Sequence, residues 1–178
     1  AGKDVLVEKP LCLSLAEGRE LVALAEARDR ILMVGHLLWY HPAVLRLREL
    51  VDEGALGRLL YLHSNRLNLG RLRRDEDVLW SFAPHDVSVL LGLVGEAPKR
   101  VEAFGGDLLR EGGADLVVAS LEFAGGVRGH FFVSWLHPVK EHRLVVVGER
   151  AIAVFDDAES GARFRLHPYR VGWQDGIP

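Results

Sequence analysis

The first part of the chain alternates between short apolar runs and one amphipathic segment, and this order constrains the fold more than any other feature. Val5–Val7 and Ile31–Val34 are aliphatic runs that are typical of buried strands. Between them, Ser14 and Glu17 have the spacing of a helix capping box. A strand, a helix and a second strand in this order predict a βαβ unit, whose two strands run parallel.

Beyond Pro42 the pattern changes to two helices among many strands. Gly125-Gly126 separates two apolar runs and predicts a hairpin, and Gly148-Glu149-Arg150 predicts a second one. This half therefore indicates an α+β domain with a mostly antiparallel sheet. The predicted elements are a helix from Pro42 to the Gly54/Gly57 pair, a strand over Leu59–Leu67, a helix over Pro84–Val94, and strands over Leu116–Phe123, Val127–Trp135, Arg143–Val147, Ala151–Phe155 and Arg163–His167.

Composition excludes several classes of protein. Hydrophobic residues make up 49% and charged residues 26% of the 178, and the net charge is −3, which argues against a general nucleic-acid binder. No apolar run approaches the ~20 residues that span a bilayer. The lone Cys12 cannot form an internal disulfide, so we expect a cytoplasmic protein.

The two ends of the chain have unusual sequences. Ala1 leads directly into a predicted strand without an initiator Met, and Gly172–Pro178 reads as a loop with no closing element. We expect both ends to be cuts in a longer protein.

Several motifs, in order along the chain, resemble one enzyme family. Glu8-Lys9-Pro10 after a predicted strand is similar to the motif that marks the Gfo/Idh/MocA oxidoreductases. Val34–Pro42 resembles the family's segment between its two domains, and Trp80–Asp86 resembles the segment that holds its catalytic histidine. Ser64–Arg71 and Ser134–Lys140 resemble the branch that oxidises nucleotide-linked N-acetyl sugars, or their uronates, at C3.

This resemblance implies an α/β plus α+β chain with two parts. Residues 1–35 would be the C-terminal part of a Rossmann domain that binds NAD or NADP. Residues 36–178 would be a substrate-binding and oligomerisation domain, truncated at its C-terminus, with a large, mostly antiparallel open sheet and helices on one face. The family also implies a sugar substrate and a homodimer or homotetramer, without nucleic-acid or membrane partners.

The chain lacks the glycine-rich turn that cradles a dinucleotide. None of its 19 glycines forms even a G-x-G pair, whereas the pyrophosphate site needs G-x-G-x-x-G at a helix start. We therefore expect the chain alone to bind the cofactor poorly. The acidic or basic residue that distinguishes NAD from NADP would also lie outside this sequence.

The resemblance makes Lys9 and His85 the catalytic residues. An ammonium at the end of a buried strand can stabilise alkoxide character on a substrate hydroxyl, and an imidazole is a suitable general base for its proton. Read without the resemblance, Lys9 is a surface lysine and His85 a histidine hydrogen-bonded near a helix start, to Asp86 for example. The family usually has aspartate where this chain has Ser81, which we expect to be the helix N-cap.

Other residues complete the predicted site. The alternation of a strand predicts Arg66 and Asn68 on one face, where guanidinium could bind a carboxylate or diphosphate. A solvated basic loop is the alternative for this segment, and core packing is the alternative for Tyr40 and Trp80. The predicted cofactor-binding residues are Glu8, Lys9, Pro10, His36 and Tyr40, and the predicted substrate-binding residues are Lys9, Arg66, Asn68, Arg71, Trp80 and His85.

We predict no metal site. His36/His41 and His137/His142 have the spacing of half a zinc finger, but a single cysteine cannot supply the other half. Two alternatives to the sugar dehydrogenase remain open. One is a non-catalytic sugar-binding or oligomerisation module, and the other is a family dehydrogenase that acts on another polyol or sugar.

Overall fold

The chain divides into two compact units. The computed structural model describes residues 2–70, 72–73, 75–109 and 111–178, so the predicted substrate ligand Arg71 lies outside the described residues. The first unit is Ala1–Leu38 and the second is Trp39–Pro178.

The first unit is the predicted βαβ fragment. Strands β1 (Val5–Val7) and β2 (Leu32–Val34) pair in parallel on either side of helix α1 (Leu15–Ala27) in the sequence. The helix begins where the capping box predicted, because the hydroxyl of Ser14 accepts a hydrogen bond from the Glu17 amide at 3.5 Å.

The strands of this unit are not buried, contrary to the prediction. Val5 is 47% exposed and Leu6 is 69% exposed, and α1 contains no buried residue. Two strands and one helix form no second layer within the unit, so their apolar side chains stay accessible. The sequence pattern predicted the two strands and the helix correctly, but their side chains are less buried than the pattern indicated.

The second unit is built on one seven-stranded sheet. The elements of this unit are α2 (Pro42–Asp52), β3 (Leu59–Leu69), α3 (Val78–Val94), β4 (Pro98–Gly106), β5 (Leu116–Phe123), β6 (Arg128–Ser134), β7 (Leu136–Gly148), β8 (Ala151–Asp156) and β9 (Phe164–Pro168). The strand order is β4-β5-β6-β3-β7-β8-β9. Every neighbouring pair is antiparallel except β3 and β6, which are parallel. The predicted mostly antiparallel sheet is therefore confirmed.

Strand β3 lies in the middle of the sheet, between β6 and β7. The chain leaves β6 at Ser134 and enters β7 at Leu136, so it passes the end of β3 at Trp135. The Trp135 carbonyl accepts a hydrogen bond from the Gly70 amide at 3.4 Å, and the Trp135 side chain is 1% exposed. Trp135 therefore belongs to the packing of the sheet.

The apolar residues of the strands separate into two faces. Successive residues of a strand point to opposite faces of the sheet. The residues on one face, which include Val117, Phe131 and Val146, are buried beneath the helices. The residues on the other face, which include Val118 and Val145, are only partly buried, so this second face is open and partly apolar.

The third helix begins earlier than predicted, at Val78 and not at Pro84. Its N-cap is Asp77, whose carboxylate accepts a hydrogen bond from the Trp80 amide at 2.9 Å, so the expectation that Ser81 caps it is wrong. Pro84 lies inside the helix instead of in its first turn. The proline suggested a helix start because its ring is tolerated best there, but tertiary packing carries α3 through it.

None of the described helices combines the length and apolar character that a membrane span requires.

Gly148, where β7 ends, tests how tightly the second unit is packed. A Cβ atom there would overlap the carbonyl oxygen of Leu56 and lie 2.8 Å from its carbonyl carbon, and Leu56 is fully buried. Gly148→Ala should therefore lower the free energy of unfolding by about 1–3 kcal/mol. Gly172→Ala is the matched control, since a Cβ atom there meets nothing within 4 Å. Equal unfolding midpoints in urea for the two variants would contradict this packing.

Candidate functional site

The Glu8-Lys9-Pro10 loop lies where parallel sheets usually bind ligands. It follows β1 directly, and Gly35-His36 follows β2 directly. Because β1 and β2 run parallel, their carboxyl ends lie at the same edge, which is the edge that binds ligands in open α/β sheets. The Lys9–Pro10 peptide bond is cis.

Gly35 is needed for the close packing of this edge. Its amide donates to the Val7 carbonyl at 2.7 Å, and a Cβ atom on it would lie 3.2 Å from a carboxylate oxygen of Glu8. Any larger residue would press on this carboxylate.

His36 stands beside Lys9 in the first unit. Burial lowers the pKa of His36 below its ordinary value, and the positive charge of Lys9 lowers it further. The neutral form of the imidazole is therefore favoured near pH 7. This edge thus offers a cation, a carboxylate and a neutral imidazole to a ligand.

These groups suit part of a nicotinamide cofactor. A carboxylate and an imidazole can hydrogen-bond hydroxyl or amide groups, and an ammonium can donate to an oxygen. The chain has no glycine-rich turn for a pyrophosphate. Glu8, Lys9 and His36 could therefore border the cofactor, but they do not provide its phosphate site.

The second unit carries His85 on α3. The side chain is partly buried, and it lies four residues after the buried Ser81, which places the two on the same side of the helix. On the same helix, Trp80 is 41% exposed, so it is not a core aromatic. Tyr40, which ends a short 3₁₀ helix (Leu37–Tyr40), is 62% exposed, so core packing does not explain it either.

Asp86, the residue after His85, has its hydrogen-bond partners on β3. Its carboxylate accepts hydrogen bonds from the Ser64 hydroxyl at 2.5 Å and from Nε of Arg66 at 2.6 Å. Both donors come from β3. The side chain of Asp86 is 3% exposed and that of Arg66 is 18% exposed, so this is a buried ion pair.

Arg66 has a second internal partner, because its Nη2 lies 2.6 Å from Nε2 of His142 on β7. Two of its three nitrogens are thus engaged inside the protein. The sequence analysis did not predict that Asp86 and His142 contact Arg66. The position of Asp86 directly after the predicted base was the one signal in the sequence that pointed to it.

Asn68 lies where the strand becomes irregular. The pairing of β3 with β7 shifts between Leu67 and Leu69, so the simple alternation that put Arg66 and Asn68 on one face does not extend through this segment. In the neighbouring basic segment, Arg73 forms an ion pair with Glu76.

Two of the histidines with the spacing of half a zinc finger make hydrogen bonds within the protein. Nδ1 of His41 accepts the Ala43 amide at 3.2 Å and caps α2, and His142 contacts Arg66. No group of three or more His, Cys, Asp or Glu side chains is arranged to hold a metal in the part of the chain that the structure describes.

Comparison with known proteins matches both units. Residues 44–154 match the GFO/IDH/MocA C-terminal domain, and residues 1–36 match the oxidoreductase family with an NAD-binding Rossmann fold.

Named relatives are dehydrogenases. Trans-1,2-dihydrobenzene-1,2-diol dehydrogenase of Oryctolagus cuniculus is 35% identical over 148 residues, which cover 75% of this chain and 43% of the relative. UDP-N-acetylglucosamine 3-dehydrogenase of Acidithiobacillus ferrooxidans is 35% identical over 106 residues, which cover 59% of this chain and 33% of the relative. The chain thus spans less than half the length of these relatives.

Solved structures share the fold over nearly the whole chain. The same A. ferrooxidans enzyme superposes with a TM-score of 0.80 at 25% identity, covering 98% of this chain and 57% of that one. GenD2 from gentamicin A biosynthesis, solved in complex with NAD, superposes with a TM-score of 0.79 at 27% identity, covering 94% of this chain and 56% of that one. Because residues 44–154 and residues 1–36 match the two domain models of one family, the chain belongs to the GFO/IDH/MocA oxidoreductase family.

Proposed function

We propose that the whole protein is an NAD(P)-dependent dehydrogenase that oxidises C3 of a nucleotide-linked N-acetyl sugar or its uronate. The observation that carries this proposal is the position of Lys9, between Glu8 and Pro10, at the carboxyl edge of two parallel strands. The family match and the UDP-N-acetylglucosamine 3-dehydrogenase relative support the reaction and the substrate class.

The proposed chemistry converts a secondary alcohol to a ketone. The hydroxyl loses a proton to His85, and the carbon that bears it loses a hydride. A bound nicotinamide supplies the hydride acceptor. Lys9 donates a hydrogen bond to the hydroxyl oxygen and stabilises the negative charge that develops there.

The remaining site residues would bind the two ligands. Glu8, Pro10, His36 and Tyr40 are proposed to contact the cofactor. Asn68 and Trp80 are proposed to contact the sugar, where an exposed indole ring suits the apolar face of a pyranose. Arg71 belongs to this proposal on sequence grounds alone.

The second candidate is a dehydrogenase of the same family that acts on another diol, polyol or sugar. The rabbit dihydrodiol dehydrogenase favours it, since that relative matches a larger part of this chain than the UDP-sugar enzyme does. Steady-state oxidation of UDP-N-acetylglucosamine, its uronate, myo-inositol and a trans-dihydrodiol by the whole protein, each with NAD and with NADP, decides between them. Preference for the dihydrodiol would replace the first proposal with the second.

Lys9→Met and His85→Asn test the two catalytic roles. Each should lower kcat by about 10²-fold or more, because each removes a group that acts on the hydroxyl in the transition state. His85→Asn should also abolish the decline of kcat toward acid pH, since the group that protonates is gone. Lys3→Met and His167→Asn change exposed residues of the same types and are the controls. Near-normal turnover of His85→Asn would remove it as the base.

Ser81→Asp restores the residue that the family usually has. Ser81 is buried one helical turn before His85, so a carboxylate there would favour the protonated imidazole. If the pKa of His85 rises, the imidazole becomes protonated at a higher pH and can no longer accept a proton there. The acidic limb of the kcat–pH profile should therefore shift to higher pH. Ser81→Asn, which adds no charge, should leave the limb in place. A downward shift in Ser81→Asp would contradict this electrostatic coupling.

The open face of the sheet is proposed to pack against a second copy of the protein. Val118, Val145 and Val147 lie on it and are only partly buried, which suits a homodimer or homotetramer. Val145→Asp, near the middle of this face, should shift the protein toward monomer in sedimentation velocity at micromolar concentration. Val139→Asp changes an exposed residue of the same strand and should not. A wild-type monomer under these conditions would contradict the proposal.

A further inference from the structure

Helix α3 is joined to the sheet by a buried carboxylate at the residue after His85. Asp86 accepts hydrogen bonds from Ser64 at 2.5 Å and from Arg66 at 2.6 Å. These two donors are alternate residues of β3, so both point from the sheet toward α3. The bonds therefore fix the rotation of α3 about its own axis at the position of the proposed base.

This side-chain attachment lies next to a proline inside the helix. Pro84 has no amide hydrogen, so it donates no backbone hydrogen bond in the turn just before His85. The hydrogen bonds of Asp86 can thus stabilise a helical turn in which Pro84 donates no backbone hydrogen bond.

The contact between Arg66 and His142 fixes the tautomer of the histidine. A guanidinium can only donate, so Nε2 of His142, at 2.6 Å from Nη2 of Arg66, must accept and carry no proton. The proton then resides on Nδ1, which faces a carboxylate oxygen of Asp157 at 3.3 Å. A chain of contacts therefore runs from Asp157 through His142 and Arg66 to Asp86.

The surroundings of His142 keep it neutral. Burial and the positive charge of Arg66 lower the pKa of His142, in that order, while the charges of Asp86 and Asp157 oppose them. The ring of Phe155 is a further, apolar neighbour, with the two ring centroids 6.0 Å apart. A protonated His142 would place an N–H bond against the guanidinium, so the neutral form is the one that supports Arg66.

We propose that Arg66 and His142 are positioning residues, which hold Asp86 and thereby set the orientation of His85 on α3. His142 takes part as the neutral Nδ1–H tautomer, and Asp157 orients it. The inference rests on the proposed function only in naming His85 as the group that is positioned. It replaces the sequence-based prediction that Arg66 binds an anionic group of the substrate.

The first test needs no catalysis. Nitrogen chemical shifts of the imidazole should show His142 as the neutral Nδ1–H form at about pH 6.5, where a free histidine is half protonated. A protonated ring, or the Nε2–H tautomer, at that pH would overturn the inference.

The second test measures hydrogen exchange of the α3 amides from Phe82 to Ser88. Arg66→Gln and His142→Leu should accelerate exchange there about tenfold or more, because the attachment of the helix is lost. His142→Gln keeps an acceptor for Arg66 and should accelerate it much less. Arg143→Gln is the matched control, since Arg143 also pairs with a buried carboxylate, that of Asp156 at 2.8 Å. Equal acceleration by Arg66→Gln and Arg143→Gln would overturn the inference.

The third test separates positioning from substrate binding in the whole protein. Arg66→Gln should lower kcat about tenfold or more with little change in KM, because it misplaces the base without removing a substrate contact. A raised KM with unchanged kcat would show that Arg66 binds the substrate and would overturn the inference. If His85→Asn keeps normal turnover, the proposed role of His85 as the base fails, whereas the tautomer and exchange results still decide whether α3 is held in this way.

Discussion

The buried ion pair between Arg66 and Asp86 joins the two elements on which the second unit depends. Strand β3 is the centre of the seven-stranded sheet, and α3 carries the proposed base. Removing two charges from water is costly unless each finds its partner, so this pair strongly favours one arrangement of helix and sheet. Breaking such a pair by removing one partner typically destabilises a protein by about 3–5 kcal/mol. The polar contacts of Ser64 and His142 around it reduce the cost of burial further.

The sheet around this pair has two chemically different faces. One face is buried beneath α2 and α3, and the other combines partly buried valines with a polar cluster at Tyr61, His63 and His130. The rings of His63 and His130 are stacked with centroids 5.1 Å apart, and burial lowers the pKa of both. The same face also carries charged groups, because Arg143 lies opposite Asn65 and forms an ion pair with Glu141.

The first unit carries its polar groups at one edge of two short parallel strands. Its two strands place Glu8, Lys9 and His36 at one edge, while the apolar side chains of β1 and α1 remain exposed. The family match assigns this segment to an NAD-binding Rossmann fold, of which a pair of strands and one helix is only a small part.

The sequence by itself determined the local elements and the family. The βαβ unit, the hairpin at Gly125-Gly126 and the start of α2 at Pro42 follow from short-range patterns, and the motif at Glu8-Lys9-Pro10 indicates the oxidoreductases. Such patterns act within a few residues, which is why they can be read directly.

Only the tertiary structure decided the parallel pairing of β3 with β6, the passage of α3 through Pro84 and the partners of Arg66. Asp86 and His142 are 20 and 76 residues away from Arg66 in sequence. Their contacts form because the sheet brings distant residues side by side in a low-dielectric interior, and no local pattern records that proximity.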